Sequence, residues 1–282
     1  MIAMEGDGMQ GFALIHSAIA PLMVAPTQRC ELADEALHGM KVTLLQETPD
    51  GWFRMRTHYA YEGFVHSAHL TTDSALLSRW EGLPKLVVTK AQADILWEPK
   101  VQGWQVASLT RGALVAPLAT ADENGWQPVA LCDGREGYTK AGYLGEHITS
   151  WRVEEETALR GKLVDTALCY LGVQYRWGGK TPQGIDCSGL TSMAYLLNGI
   201  LIYRDADICD GFPMRKIAVE EAREGDLIFF KGHVAMHLGD GRIVHATARN
   251  GSDGVVLDSL NPQHSDYRPD LVPIIKFAGT IF

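Results

Sequence analysis

A glycine-rich stretch, Tyr175-Arg176-Trp177-Gly178-Gly179, leads to Asp186-Cys187-Ser188-Gly189, and an apolar run then extends to Leu197. This pattern places the thiol of Cys187 where a loop turns into a helix. Unpaired N–H groups and the positive end of the helix dipole meet there, and both favour thiolate over thiol. Thiolate is the nucleophile, so the position suits covalent catalysis better than core packing. The partners such a cysteine needs follow downstream: His233 in Gly232-His233-Val234 and His245 in Ile243-Val244-His245-Ala246. Together they imply the chemistry of a cysteine peptidase or amidase.

The two histidines flank a hairpin that turns at Gly239-Asp240-Gly241. Side chains alternate faces along a strand, and directly paired residues share a face. A two-residue Asp240-Gly241 turn pairs His245 with Met236, on the face opposite His233. A three-residue loop pairs it with Ala235, on the His233 face, and the glycines at both ends allow it. Only the second register, or an equivalent bulge, unites the rings. His233 is then the base that takes the Cys187 proton and returns it to the leaving amine. His245 holds the far nitrogen of His233 and sets its tautomer, as aspartate does in the serine triad. His237 shares a face with His233 and is a rival base on pattern alone.

The other cysteines, Cys30, Cys132, Cys169 and Cys209, are scattered with no CxxC spacing, which argues against a zinc site or disulfide framework. Cys169 falls inside a helical pattern, between Leu168 and Leu171. The formal charge of −9 argues against a nucleic-acid partner. No apolar run approaches the ~20 residues that span a membrane. The N-terminus lacks the basic start of a signal peptide, so a cytoplasmic location is expected, or secretion if a leader has been removed.

These residues must be held by elements, and 282 residues allow two or three domains. Residues 10–150 read as short strands between turns. A Gly-Trp pair (Gly51-Trp52, Gly125-Trp126) precedes a Glu-Gly-aromatic motif (Glu62-Gly63-Phe64, Glu136-Gly137-Tyr138) by the same interval in two copies. A repeat of about 70 residues exceeds a solenoid unit and suits two tandem small barrels, over 10–78 and 84–150, with a linker near Ser78 to Pro84. From 153 to 282 the pattern becomes α+β. A helix begins at Glu154-Glu155-Glu156, carries Leu159, Leu163, Ala167 and Leu171 on one face, and stops at Gly172. A second helix runs from about Cys187 to Leu197. Period-two strands follow at Asp226–Phe230, Val234–Leu238 and Arg242–Thr247.

The motifs around Cys187, with Gly225-Asp226-Leu227-Ile228-Phe229-Phe230, His233 to Gly239 and Ile243 to Ala246, resemble the NlpC-type cysteine peptidases, papain-like bacterial enzymes that cut peptidoglycan peptides. The N-terminal repeat resembles the bacterial SH3-like barrel. The resemblance implies Cys187 as nucleophile, His233 as base and His245 as its orienting residue. It demotes His237, and it implies that the Tyr175 hydroxyl and a backbone N–H of Cys187 bind the oxyanion. The whole-chain order is similar to the YkfC-like γ-D-glutamyl-L-diamino-acid endopeptidases, which cleave after D-Glu in L-Ala-γ-D-Glu-diamino-acid peptides. That likeness implies a substrate set of Asp186, Ser188, Tyr61, Trp177, Arg204 and Asp205. Asp186 would bind the α-amine of L-Ala, and Tyr61, or Tyr59 in its place, would close the pocket. Ala206 stands where that group commonly has serine. The expected protein is a monomeric, cofactor-free and metal-free enzyme acting on murein peptides, with no nucleic-acid or membrane partner. The rivals are a wall-bound hydrolase whose barrels bind intact peptidoglycan, an acyltransferase or lipid-directed enzyme on the same fold, and an inert adaptor.

Overall fold

The computed structural model describes residues 11–282, so position 10 of the first expected barrel lies outside the described residues. The chain folds as two compact units that divide between Glu146 and His147.

The first unit contains two seven-stranded antiparallel sheets. One is formed by β1 (Gly11–Ile15), β2 (Ile19–Met23), β3 (Leu32–Leu37), β4 (Lys41–Thr48), β5 (Trp52–Arg56), β6 (Glu62–His66) and β7 (Leu70–Thr71). After a helix, α1 (Ser74–Gly82), come β8 (Leu86–Val88), β9 (Gln92–Leu96), β10 (Gln105–Thr110), β11 (Leu114–Pro117), β12 (Trp126–Ala130), β13 (Glu136–Lys140) and β14 (Leu144–Glu146). The strand orders are β3-β2-β6-β5-β4-β1-β7 and β10-β9-β13-β12-β11-β8-β14, one topology used twice. The repeated Gly-Trp and Glu-Gly-aromatic motifs begin the paired strands β5–β6 and β12–β13 in both copies.

The stretch expected as a linker is mostly helix. Asp73 caps α1 by accepting from the N–H groups of Ala75 and Leu76, which satisfies donors the helix itself cannot. Trp80 of α1 is buried among Leu14, Ala116, Ala130 and Cys132, residues of both sheets and their connections, and its indole donates to the Gly39 carbonyl at 2.9 Å. Large apolar burial therefore overrides the linker reading.

The second unit is α+β. Its helices are α2 (Glu156–Leu168) and α3 (Cys187–Leu196). A short hairpin of β15 (Lys180–Thr181) and β16 (Gly184–Ile185) precedes α3. The main sheet uses β17 (Arg215–Ile217), β18 (Leu227–Phe230), β19 (His233–His237), β20 (Arg242–Thr247), β21 (Gly254–Ser259) and β22 (Ile275–Thr280), in the order β17-β22-β18-β19-β20-β21. α3 packs on β19 and β20, and Ile228, Phe230, Ala235, Ile243, Leu271 and Ala278 form a core cluster.

Two helical details depart from the sequence pattern. Leu159, Leu163 and Ala167 are buried as expected, but Leu171 is exposed and Tyr170 is fully buried. α2 stops at Leu168 and Gly172 adopts a φ of 78°, so Leu171 falls out of helical phase. Cys169 is accordingly an exposed cap residue and not a helix-interior one. Among the described residues no helix is long and apolar enough to cross a membrane.

Trp80→Ala should destabilise the first unit by about 3–5 kcal/mol, the usual cost of emptying a buried aromatic site. Urea unfolding of the full chain should show an earlier transition for β-rich structure, while Cys187 alkylation under native conditions stays at the wild-type rate. A wild-type urea profile would mean that α1 is only a tether.

Candidate active site

Cys187 is the first residue of α3 and is 7% exposed. Asp186 caps the helix by accepting from the Gly189 N–H. That approach demands glycine at 189, because a Cβ there would lie 2.1 Å from the Gly179 carbonyl oxygen. The N–H groups of Ser188 and Val234 donate toward the Cys187 sulfur. Val234 directly follows His233, so this contact ties Cys187 to the start of β19.

The hairpin takes the register that unites the histidines. Met236 pairs with Val244 and His237 with Ile243, which sets His245 opposite Ala235. The intervening loop is Gly239-Asp240-Gly241, and all three residues have positive φ, at 90°, 50° and 73°. His233 Nε2 and His245 Nδ1 stand 2.7 Å apart. His237 lies elsewhere, its surroundings being the Arg223 backbone, Glu224 and Asp226, and burial lowers its pKa first of all.

A further residue, absent from the sequence reading, completes the line. Asp258 on β21 accepts from His245 Nε2 at 3.0 Å and also from Arg268 Nη1. Val256 is directly opposite His245, so Asp258 reaches the ring diagonally from the same face. Burial pushes the Asp258 carboxyl up, but the hydrogen bonds from His245 and Arg268 outweigh it and hold the group below its ordinary value. The available signal was an acidic residue at a period-two position in Val255-Val256-Leu257-Asp258. Its register against β20, set across a loop of several residues, is not readable from sequence.

The protonation state differs from the sequence expectation. Burial, then the charge of Asp186, pushes the Cys187 thiol up to about 11, against the opposing pull of the Val234 and Ser188 N–H groups and Arg204. Burial, then His245 and Arg268, lowers His233 to about 3. Desolvation thus outweighs the helix terminus. Both shifts favour the uncharged form, thiol and imidazole, over thiolate and imidazolium.

Backbone bridges from Gln174 to Gly254 and from Tyr175 to Ile185 carry Tyr175 to the site. Its phenol is pushed up by burial and by the nearby Cys187 and Asp186. Trp177 is 63% exposed at the surface. Asp205 lines a recess with Thr191, Tyr203, Phe229 and Val234. Asp186, Ser188 and Arg204 form one buried cluster. Arg204 donates to both Asp186 oxygens (3.2 and 3.3 Å), to Ser188 Oγ at 2.8 Å, and to the Gly178 and Gly179 carbonyls. Asp186 also accepts from the Gly178 N–H and the Ser188 hydroxyl. The Arg204 side chain, 1% exposed, thus serves the loop rather than presenting a charge at the surface. Tyr59 and Tyr61 belong to the first unit, at the turn between β5 and β6. Tyr59 is buried and donates to Asp34, and the Tyr61 backbone closes the turn on Thr57. Among the described residues no cluster of three or more His, Cys, Asp or Glu side chains is arranged to hold a metal.

Residues 172–269, which carry this whole constellation, match the NlpC/P60 family, and residues 22–70 match the bacterial dipeptidyl-peptidase Sh3 domain. The chain is 40% identical over 272 residues to dipeptidyl-peptidase 6 of Lysinibacillus sphaericus, covering 96% of this chain and 99% of that protein. The chain belongs to the NlpC/P60 family. It is also 29% identical over 242 residues to the γ-D-glutamyl-L-lysine dipeptidyl-peptidase of Bacillus cereus, covering 78% of this chain and 68% of the relative. The crystal structure of an NlpC/P60 family protein from Bacillus cereus superimposes with a TM-score of 0.78 at 22% identity, over 95% of this chain and 98% of the other, a likeness of fold. The protein is a peptidase of this family, with an SH3-like domain ahead of the NlpC/P60 fold.

Alkylation of Cys187 by iodoacetamide, followed site by site by mass spectrometry, should accelerate with pH through neutrality toward about 11. A rate already on its plateau below pH 6 would reveal a resting thiolate and contradict the neutral pair.

Proposed function

We propose that this peptidase hydrolyses the bond after γ-D-Glu in peptides of the form L-Ala-γ-D-Glu-diamino acid, with Cys187 as nucleophile, His233 as base and His245 as the orienting residue. The single observation that carries the reading is the 2.7 Å contact between His233 Nε2 and His245 Nδ1, at the start of a strand whose Val234 N–H reaches the Cys187 sulfur. The names of the two relatives support the substrate. A dipeptidyl-peptidase removes two residues from a free N-terminus, and one relative is named for the γ-D-glutamyl-L-lysine bond.

The steps follow from the geometry. The bare nitrogen of His233 takes the Cys187 proton as the sulfur attacks the γ-carbonyl carbon, so no resting thiolate is needed. The resulting oxyanion meets the Tyr175 hydroxyl and the Cys187 N–H, which as the first of the helix has no intrahelical partner. Collapse breaks the C–N bond while His233 returns the proton to the leaving amine. Water, deprotonated by His233, then hydrolyses the thioester, releasing L-Ala-γ-D-Glu and the free thiol.

Selectivity for a free α-amine fits the acidic character of the site. Arg204 already balances Asp186, so an incoming ammonium would share that carboxylate with a guanidinium. Asp205, which lines a recess with Thr191, Tyr203 and Val234, would be the second carboxylate for it. Soluble fragments, as in murein recycling, are the substrate this selectivity favours, and a cytoplasmic site of action agrees with it.

The test compares free and N-acetylated L-Ala-γ-D-Glu-Lys, the diaminopimelate analogue and intact sacculi, with products read by mass spectrometry. The free peptides should release the dipeptide. Acetylation should lower kcat/KM by at least about 100-fold, the scale of losing one charged hydrogen-bonded partner. Cys187→Ala should show no turnover, and His233→Ala should lose about 10²–10⁴-fold. Equal rates on free and acetylated peptides, together with release from sacculi, would favour a wall hydrolase instead.

A further inference from the structure

We propose that Asp258, clamped by Arg268, is a positioning residue that sets the tautomers of both histidines. The inference rests on Cys187 and His233 being the reacting pair, and it concerns what makes His233 competent.

A neutral imidazole carries one proton on two nitrogens, and its partners decide which nitrogen holds it. Two neutral rings facing each other through one nitrogen each have two equivalent solutions. Either His233 donates to His245, or His245 donates to His233. The first leaves His233 Nδ1 bare and able to accept the thiol proton. The second places a proton on His233 Nδ1 and removes the base. Nothing in the pair itself selects between them.

Asp258 selects. An ionised carboxylate has no proton to give, so the 3.0 Å contact between its Oδ2 and His245 Nε2 requires the proton to lie on that nitrogen. His245 Nδ1 is then bare and accepts from His233 Nε2 at 2.7 Å. One acceptor at the end of the line thereby fixes two rings. The same oxygen accepts from Arg268 Nη1. Arg268 is 5% exposed and grips Asp270 with two parallel bonds, Nε to Oδ1 at 2.8 Å and Nη2 to Oδ2 at 2.7 Å. This bidentate fork keeps the guanidinium in place, and the guanidinium in turn points the Asp258 oxygen at His245. It also opposes a positive charge on the rings, in line with its contribution to the lowered pKa of His233.

The clamp makes an asymmetric forecast for substitutions. In Asp258→Asn, both Arg268 and His245 Nε2–H call for an acceptor at one position, so the amide oxygen occupies it and the tautomers persist. In Asp258→Ala no acceptor remains and both tautomer pairs become populated. In the double variant Asp258→Asn/Arg268→Gln the amide is free to turn, and an N–H facing His245 imposes the unproductive pair.

The experiment is long-range 1H–15N correlation of the imidazoles in the full-length protein, with steady-state kinetics on the free tripeptide. Wild type should show Nε2–H on both His233 and His245, and Asp258→Ala a mixture. The Ala variant should lose kcat in proportion to the productive pair it no longer populates, about twofold for an even mixture, with KM little changed. Asn should stay near wild type, and the double variant, held in the unproductive pair, should lose about 10²–10⁴-fold, the worth of a correctly protonated general base. A wild-type His233 carrying its proton on Nδ1 overturns the proposal without any variant. Equal losses in Ala and Asn with unchanged tautomers also overturn it, because they assign Asp258 to packing alone. Cys187→Ala is measured alongside: turnover in that variant would refute the nucleophile and leave the tautomer result standing by itself.

Discussion

A histidine works as a base only while the nitrogen facing its substrate is bare. In this protein a line of hydrogen bonds runs from Arg268 through Asp258 and His245 to His233, the residue proposed as the base. The line crosses three adjacent strands, β19, β20 and β21, and it exists only if residues on all three face the same way. Strand side chains alternate with a period of two, so a slip of one residue in either hairpin would turn a member to the other face. The three left-handed residues of the Gly239-Asp240-Gly241 loop hold the first register. The six paired residues of β20 and β21 hold the second. Sheet geometry therefore decides whether the line can form at all.

A second constraint lies at Cys187. The loop from Trp177 to Gly179 approaches α3 so closely that glycine is required at 189, and its carbonyls are then buried. Arg204 satisfies two of those carbonyls together with Asp186 and Ser188. A buried guanidinium needs such a set of acceptors, since an unpaired charge away from water is costly. The cluster both caps the helix and fixes the loop beneath Cys187. Enclosure has a chemical consequence: it desolvates the thiol and the imidazole and pushes both toward their uncharged forms. In the proposed mechanism attack then couples to proton transfer, with Tyr175 and the start of α3 as the proposed oxyanion donors.

The first unit shows the same economy of pattern. One strand order serves both sheets, and the motifs that recur in sequence recur at equivalent strands. The connection between them became a helix because Trp80 and its neighbours had apolar surface of both sheets to cover. Turn-like composition around Gly82-Leu83-Pro84 describes only where that helix ends.

Local chemistry was legible in the sequence. The helix start at Cys187, the alternation around His233 and His245, the glycine turn between them and the repeated Gly-Trp strands all follow from periods of 3.6 and 2 and from residues with special backbone freedom. The motifs also identified the family, and they singled out the two histidines whose rings the structure brings to 2.7 Å. What only the tertiary structure decided depends on contacts between segments distant in the chain. It chose between the two registers left open for the hairpin. It brought Asp258 and Arg268 behind His245, although neither lies in a motif with it. It turned Arg204, which the family resemblance placed in the substrate set, inward onto Asp186 and the Gly178 and Gly179 carbonyls. It raised the Cys187 thiol where the helix dipole alone suggested a thiolate, because burial is a property of the packed fold and not of any residue or its neighbours in sequence.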